Sequence, residues 1–333
     1  MTAPTTGDGP IWDVFLAAFH APALAVADEL GLFAALDRAP ATVDELAASL
    51  AIEPRATQAL VGLAAALGFA TQAAGRYHLT DVARIYLVPG GSYYWGGFLA
   101  RIRAAPIDCA KLVAALRRGS ADGRVAEMWQ APPPEALRAF THAMHAHSFA
   151  LAMRTVDRFG LPPGARVLDA GGGSGSYSIA IALHDPTARA TVLDFAPVCE
   201  VARAYAAQHG VADRVAAHTL DLFADAWPDG HDAAFLSDVF HDWTDAQCVA
   251  LAARAFAALP TGGRILVHEL LLDDTRDAPL VAAAYSVVML FNTPGRQRTG
   301  TDLVGLLDRA GFESVAICPT ANGYAIVSAR KPM

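Results

Sequence analysis

Apolar positions recur at helical spacing through the first third of the chain. They then give way to short apolar runs alternating with helical segments. "IWDVFLAAFHAPALAVADELGLFAAL" carries the helical period, with Pro22 near a helix start and Gly31 at a stop. In the next stretch, "TVDELAASLAIEPRATQALVGLAAALGFATQAAGRYHLT", Thr42 and Glu45 have capping-box spacing. A short helix, a turn through Ile52-Glu53-Pro54, a longer helix and a two-stranded wing around Gly75 together predict a winged helix. Residues 89–154 stay helical but irregular. "APPPEALRAF" sets a break, and "PPEALRAFTHAMHAHSFALAMRTVDRFG" reads as a long amphipathic helix leading into a second domain.

After a boundary at residues 161–164 ("LPPG"), strands and helices alternate. "ARVLDAG", "RATVLDF", "DRVAAHTLDLF", "HDAAFLSDVF" and "GRILVHELLL" read as strands. "YSIAIALHD", "PVCEVARAYAAQHG", "DAQCVALAARAFAALP" and "TGTDLVGLLDRAGF" read as helices. "ESVAICPT" and "NGYAIVSARK" close the chain as a hairpin. This order predicts an α/β fold with a parallel, doubly wound, Rossmann-like sheet whose ligand sits at the carboxyl ends of the strands.

The 333 residues suit two domains, and 54% hydrophobic against 17% charged residues leaves ample material for a core. The apolar letters, mostly alanine, form no run of about 18 strongly apolar residues of the kind a membrane span needs. "MTAPTTGDGP" lacks the basic and apolar regions of a secretory signal. Cys109, Cys199, Cys248 and Cys318 are far apart and form no CxxC, which argues against a zinc knuckle or disulfide frame and for a cytoplasmic location. A net charge of −8 disfavours a nucleic-acid partner. So does the longer helix of the winged motif, where residues 54–68 offer Arg55 and Gln58 amid alanine, leucine and glycine. A first domain rich in small apolar residues and without a ligand motif points to a homodimer.

The chemistry gathers at "RVLDAGGGSGSYSIAIALHDP". A dinucleotide fingerprint started at Gly171 or Gly173 meets Ser176 or Ser178 where glycine or alanine is required, and no lysine follows for a phosphate loop. What fits is Asp169-x-Gly171-x-Gly173-x-Gly175, a turn whose backbone comes close to a ligand that need not be anionic. Asp169 is placed to accept from a cationic amino-acid head. Asp194 closes the next strand, where a carboxylate holds two ribose hydroxyls, and Asp221 in "LDLF" is placed to reach an adenine edge.

These features resemble the class I S-adenosylmethionine (SAM)-dependent methyltransferases. "SDVFHDWTDAQC" narrows the likeness to the small-molecule O-methyltransferases related to plant caffeate methyltransferases, including their bacterial secondary-metabolite branch. The winged-helix domain, "MHAHS", "GGRILVHELLLDD" and "TPGRQRT" extend it over nearly the whole chain. The resemblance implies SAM as cofactor and S-adenosylhomocysteine as product. It also implies a dimerisation domain over residues 1–100, a helical linker lining the substrate over 101–160 and the SAM-binding domain over 161–333. The reaction it implies is methyl transfer to a hydroxyl of an aromatic or polyketide-like metabolite.

Within that frame His241, just past the fourth strand, is the expected general base, because an imidazole titrates near neutrality and can take a phenol's proton. Glu269 is expected to orient it and stabilise its cation. The chain departs from the family at Gln297, where many members carry a second glutamate; an amide can hydrogen-bond an imidazole but offers it no charge. Besides the glycines and acids above, the resemblance assigns Ser148, Leu222, Phe223 and Ser237 to the cofactor. It assigns Phe140, Met144, Asp242, Met289, Phe291 and Asn292 to the acceptor, and it allows Trp12 to come from a partner chain. No metal is expected: His241 and Asp242 are adjacent, Asp238 reads as a strand-end acid, and no third ligand stands at suitable spacing. Three alternatives remain at this level: carbon or nitrogen methylation, a relative that binds SAM without transferring a methyl, and a ligand-sensing DNA-binding regulator.

Overall fold

The computed structural model describes residues 5–104, 109–118 and 133–333, and the chain divides into two compact units, Met1–Pro106 and Ile107–Met333. In the first, helices Gly9–Ala17, His20–Glu29, Leu32–Arg38, Val43–Leu50 and Pro54–Ala66 precede strands β1 (Ala70–Ala73) and β2 (Arg76–Leu79). Helices Asp81–Leu87 and Gly96–Ala104 follow. Thr42 and Glu45 form the expected capping box. The wing is a two-residue hairpin pairing Ala73 with Arg76, and both turn residues, Ala74 and Gly75, have positive φ, the backbone such tight hairpins need. Phe33, Leu46 and Val61 pack with Tyr77 in its core. Gln58 donates its amide to the Tyr77 hydroxyl at 2.9 Å, so the longer helix spends that side chain inside the domain.

The second unit is built on a seven-stranded sheet: β3 (Arg166–Ala170), β4 (Arg189–Asp194), β5 (Val215–Thr219), β6 (Ala233–Ser237), β7 (Arg264–Leu270), β8 (Glu313–Pro319) and β9 (Tyr324–Arg330). Their order is β5-β4-β3-β6-β7-β9-β8, with β9 antiparallel to both neighbours and the other described pairs parallel. The central strands β3, β6 and β7 are buried along nearly their whole length, which is why they read as continuous apolar runs rather than alternating ones. The strand order reverses between β3 and β6. In a doubly wound sheet a crevice opens beyond the carboxyl ends of the strands there. Helices Ser176–His184, Ala196–Gln208, Asp245–Ala258 and Gly300–Arg309 separate the strands. The Pro134–Thr155 helix belongs to this second unit.

Three local expectations are corrected. The third strand ends at Thr219, not Phe223, because Asp221 Oδ1 accepts from the Phe223 and Ala224 amides and folds 221–225 into a turn. The fourth ends at Ser237, because Asp238 takes a left-handed φ of 54° and residues Phe240–Asp242 form a 3-10 turn. A helix over Leu280–Asn292 was not expected at all. Its sequence "LVAAAYSVVMLFN" is apolar except for Ser286 and Asn292, so it carries no polar period that marks a helix face.

Candidate active site

The glycine loop and the His241 turn emerge side by side from β3 and β6. Gly171, Gly173 and Gly175 all hold positive φ, at 68°, 57° and 73°, which explains why glycine recurs at alternate positions. Their surroundings differ. A Cβ on Gly171 would stand 2.9 Å from Val239 Cγ2, so that loop presses directly on the β6 loop, whereas a Cβ on Gly173 would meet nothing within 4 Å. Gly172, which sequence spacing did not single out, is as constrained as its neighbours: its Cβ would fall 2.6 Å from the Asp169 carboxyl carbon.

Acids line this loop. Asp169 is buried and accepts from the Ser178 hydroxyl at 2.7 Å; burial pushes it up to about 6. Asp194 accepts from the amides of Phe195 (2.8 Å) and Gly173 (3.0 Å), and burial pushes it, too, up to about 6. A carboxyl held in this way is stabilised by hydroxyl donors from a ligand. Asp221 is exposed and uses Oδ1 in its own turn, with Leu222 and Phe223 beside it. From the other side His145 hydrogen-bonds Ser174 (2.9 Å) and Ser176 (3.1 Å) and stacks on Tyr205 with ring centres 3.6 Å apart. Burial pushes its imidazole down to about 3, so the ring that pins the loop is neutral. The sequence signal for it was the "MHAHS" run, from which Ser148 was read and His145 was not.

His241 is buried on the 3-10 turn. Its Nδ1 lies 2.8 Å from Glu269 Oε2 on β7, and its backbone N–H donates to Glu269 Oε1 at 3.2 Å. Two more carboxylates approach: Asp238 Oδ1 at 3.8 Å from Nδ1 and Asp242 Oδ1 at 3.7 Å from Nε2. Burial alone would lower the imidazole's pKa. The carboxylates, Glu269 foremost, outweigh it and hold it well above the ordinary histidine value, while Glu269 itself is lowered by the imidazolium despite its burial. Asp242 is pushed up to about 6 by burial.

Ligand-type atoms of Asp238, His241 and Glu269 lie within 4.8 Å of one another. The expectation that no third such group stands near His241 is therefore corrected: sequence spacing could not see that β7 brings Glu269 beside the β6 loop. The 2.8 Å contact is a hydrogen bond that occupies Nδ1 and leaves Nε2 as the ring's other nitrogen.

Residues 293–299 lock the turn in place. Arg298, 3% exposed, donates to the carbonyls of Phe240 (2.6 Å) and Trp243 (2.8 Å) and to Asp245 (2.7 Å). No spacing rule marks this arginine; only its place in "TPGRQRT" hints at it. Gln297 is 2% exposed, and both amide atoms are without hydrogen-bond partners among the described residues, so the hydrogen bond to His241 that its chemistry allows is not made.

The other expected contacts are dispersed. Phe140, Met144 and Ser148 lie at four-residue intervals, all partly exposed, on the Pro134–Thr155 helix, with Ser148 3.3 Å from His147 Nδ1. Ser237 Oγ hydrogen-bonds the buried His268 at 2.9 Å. Met289 is buried beside Thr293, and Asn292 donates to Val288 O within its own helix. Phe291 is on the same helix, and its side chain lies outside the described residues.

A glycine loop at the reversal of a doubly wound sheet, with acids at and just past the ends of β3, β4 and β5 and a histidine–carboxylate pair beside it, defines a class I methyltransferase site. Residues 121–313 match the O-methyltransferase domain and residues 12–89 the O-methyltransferase dimerisation domain. The 3-hydroxy-5-methyl-1-naphthoate 3-O-methyltransferase of Streptomyces sahachiroi is 34% identical over 307 residues, covering 90% of this chain and 89% of that protein. The acetylserotonin O-methyltransferase of Bos taurus is 34% identical over 326 residues, covering 92% and 93%. The crystal structure of human N-acetylserotonin methyltransferase with SAM superposes with a TM-score of 0.84 at 25% identity over the full length of both chains. The chain belongs to this family of SAM-dependent O-methyltransferases.

Proposed function

We propose that this enzyme methylates a phenolic hydroxyl of an aromatic or polyketide-like metabolite in secondary-metabolite, antibiotic-type biosynthesis, with His241 as the general base. The observation that carries the reading is the buried His241–Glu269 pair, set beside a glycine loop that has open space at Gly173. SAM, when bound, supplies a methyl group on a sulfonium. The chain's own residues do the rest. The loop 171–175 lets backbone approach the ligand, Asp194 accepts the ribose hydroxyls, and Asp169 and Ser148 serve the amino-acid end. Leu222, Phe223 and Ser237 serve the cofactor, with Asp221 presented on its turn to the adenine edge. Phe140, Met144, Asp242, Met289, Phe291 and Asn292 bound the acceptor. Glu269 fixes the ring through Nδ1, so that Nε2 takes the proton as the acceptor oxygen attacks. Positioning and one base suffice, because in-line displacement needs no covalent intermediate.

Calorimetry on cofactor-stripped protein tests this first. SAM and S-adenosylhomocysteine are expected to bind and nicotinamide dinucleotides to give no heat; the reverse contradicts the assignment. Because the carboxylates raise His241, kcat/KM is expected to climb with pH along a limb above the ordinary histidine value of about 6.5. A limb at or below that value contradicts the base assignment. Exhaustive dialysis against a chelator is expected to leave turnover unchanged, and activity regained only with added metal contradicts the metal-free reading.

We further infer a cytoplasmic homodimer built through the winged-helix unit of residues 1–100, with 101–160 lining the acceptor and 161–333 holding SAM. The stretch Gly9–Glu29 is long and apolar enough by composition to cross a membrane (mean hydropathy 1.4), yet from residue 12 onward it falls in the dimerisation-domain match, and it breaks into two helices. Ile11, Trp12, Val14, Phe15 and Phe19 are exposed on it, and clustered exposed apolar side chains of this kind mark interaction surfaces. A second copy covering it would put Trp12 within reach of the partner. The triple variant Trp12→Ser, Phe15→Ser, Phe19→Ser is expected to sediment as a monomer. A variant that stays dimeric removes this face from the interface.

A further inference from the structure

We propose that Asp238 is a positioning residue for the base: a second carboxylate that, with Glu269, stabilises the His241 imidazolium formed when the acceptor hydroxyl gives up its proton. The inference rests on the base assignment above and adds to it a charge that sequence reading left out.

The geometry is specific. Asp238 leaves β6 in the left-handed region at φ 54°, costly for a residue with a Cβ, and its N–H is tied to His268 O at 3.1 Å. That backbone carries the carboxylate to the Nδ1 side of the ring, 3.8 Å away, where Glu269 already sits at 2.8 Å. Burial pushes this carboxyl up to about 7, with His241 and then Tyr324 opposing the rise, and Oδ1, the atom nearest the imidazole, is buried with no hydrogen-bond partner among the described residues. A buried carboxylate oxygen without a donor is unfavourable unless an opposite charge faces it. The imidazolium is that charge.

Several groups act on His241 from the elements around it. Glu269 comes from β7, Asp238 from the β6 loop and Asp242 from its own turn, on the Nε2 side. Tyr285 meets the ring edge-on at 5.6 Å from the Leu280–Asn292 helix, and His147 from the Pro134–Thr155 helix repels its positive form. Arg298 draws on Glu269. Gln297, buried in the segment that wraps the turn, is uncharged. So on the Nδ1 side two carboxylates face one ring. The base strength that Gln297 cannot supply comes from Asp238. The proton passes from the acceptor O–H to Nε2; the ring's new charge favours the ionised form of Asp238 against the burial that raises it, and holds Glu269 ionised.

Two variants and two readouts test this. Asp238→Asn removes the charge and keeps the shape; Asp238→Gly removes the charge and relieves the left-handed backbone. Heat of SAM binding shows that each has folded. Histidine-selective NMR titration of His241 needs no turnover, so it judges the proposal even if the acceptor assignment fails. In both variants the imidazole is expected to titrate lower by roughly one pH unit, the lower end of what an opposite charge within about 4–6 Å produces. The alkaline-rising limb of kcat is expected to move with it, towards a plateau about tenfold lower. An unmoved titration and limb in Asp238→Asn overturns the proposal. So does Asp238→Gly keeping the wild-type titration, because backbone geometry would then be the residue's contribution.

Discussion

Replacing His241 with alanine is expected to lower kcat by about 10²–10⁴-fold, the range for losing a positioned general base, while SAM still binds. The loss should appear in kcat rather than in cofactor affinity, because His241 belongs to the turn after β6 and not to the glycine loop. The variant also strands Glu269 and Asp238 as buried carboxylates without their cation. Breaking a buried pair costs roughly 3–5 kcal/mol, so thermal unfolding must be followed alongside and rates measured below the variant's own midpoint. His241→Asn supplies the control. Its amide can still donate to Glu269 but cannot accept a proton at neutral pH. Both variants are expected to be equally inactive, with the asparagine form more stable. Turnover within tenfold of wild type in either one removes the base from the account.

Gly295→Ala is expected to be nearly as damaging for a different reason. Its φ is not left-handed, so conformational freedom is not at issue. A Cβ there would lie 2.1 Å from His241 O, 2.6 Å from the Asp242 carbonyl carbon and 2.6 Å from the Trp243 nitrogen. All three are backbone atoms, which cannot rotate away as a side-chain tip can. Either the 293–298 segment lifts off or the His241 turn is displaced, and Arg298 couples the two through its bonds to Phe240 and Trp243. Overpacking of this kind costs about 1–3 kcal/mol or more, and a shift of about 1 Å in a catalytic group can cost about 10²-fold in rate. Gly305→Ala, in a helix with nothing within 4 Å of the new Cβ, is the matched control and is expected to be neutral or stabilising. Equal kcat for the two alanine variants would show that the segment does not hold the turn.

These two positions also show what a single sequence reveals. His241 and Glu269 were legible because the first lies just past β6 and the second near the end of β7, where strand ends in this architecture converge on one crevice, and because the family resemblance gave them their roles. The glycine loop was legible because left-handed backbone at 171, 173 and 175 demands glycine, and the demand is written in the letters. Asp238, Gly295 and Arg298 were not. Their roles depend on which loops touch after folding: Gly295 on Asp242, Arg298 on Phe240, Asp238 on a ring three residues away that only a 3-10 turn brings back. The Leu280–Asn292 helix escaped for the complementary reason, since a helix whose polar letters are only Ser286 and Asn292 has no period to read. The third strand of the second unit, β5, was overextended because apolar letters continue past Thr219, and a single aspartate ends the strand by capping its own turn.

The central claim is that methyl from SAM reaches an oxygen and that the imidazole at 241 removes that oxygen's proton. Carbon-13 NMR of the product formed from methyl-labelled SAM and a panel of phenolic acceptors, run in parallel with wild-type and His241→Ala enzyme, tests both halves at once. The account predicts a methoxy resonance that grows with the wild-type enzyme and is lost with the variant. Label arriving on carbon or nitrogen, or a methoxy signal growing equally fast in both, would contradict it.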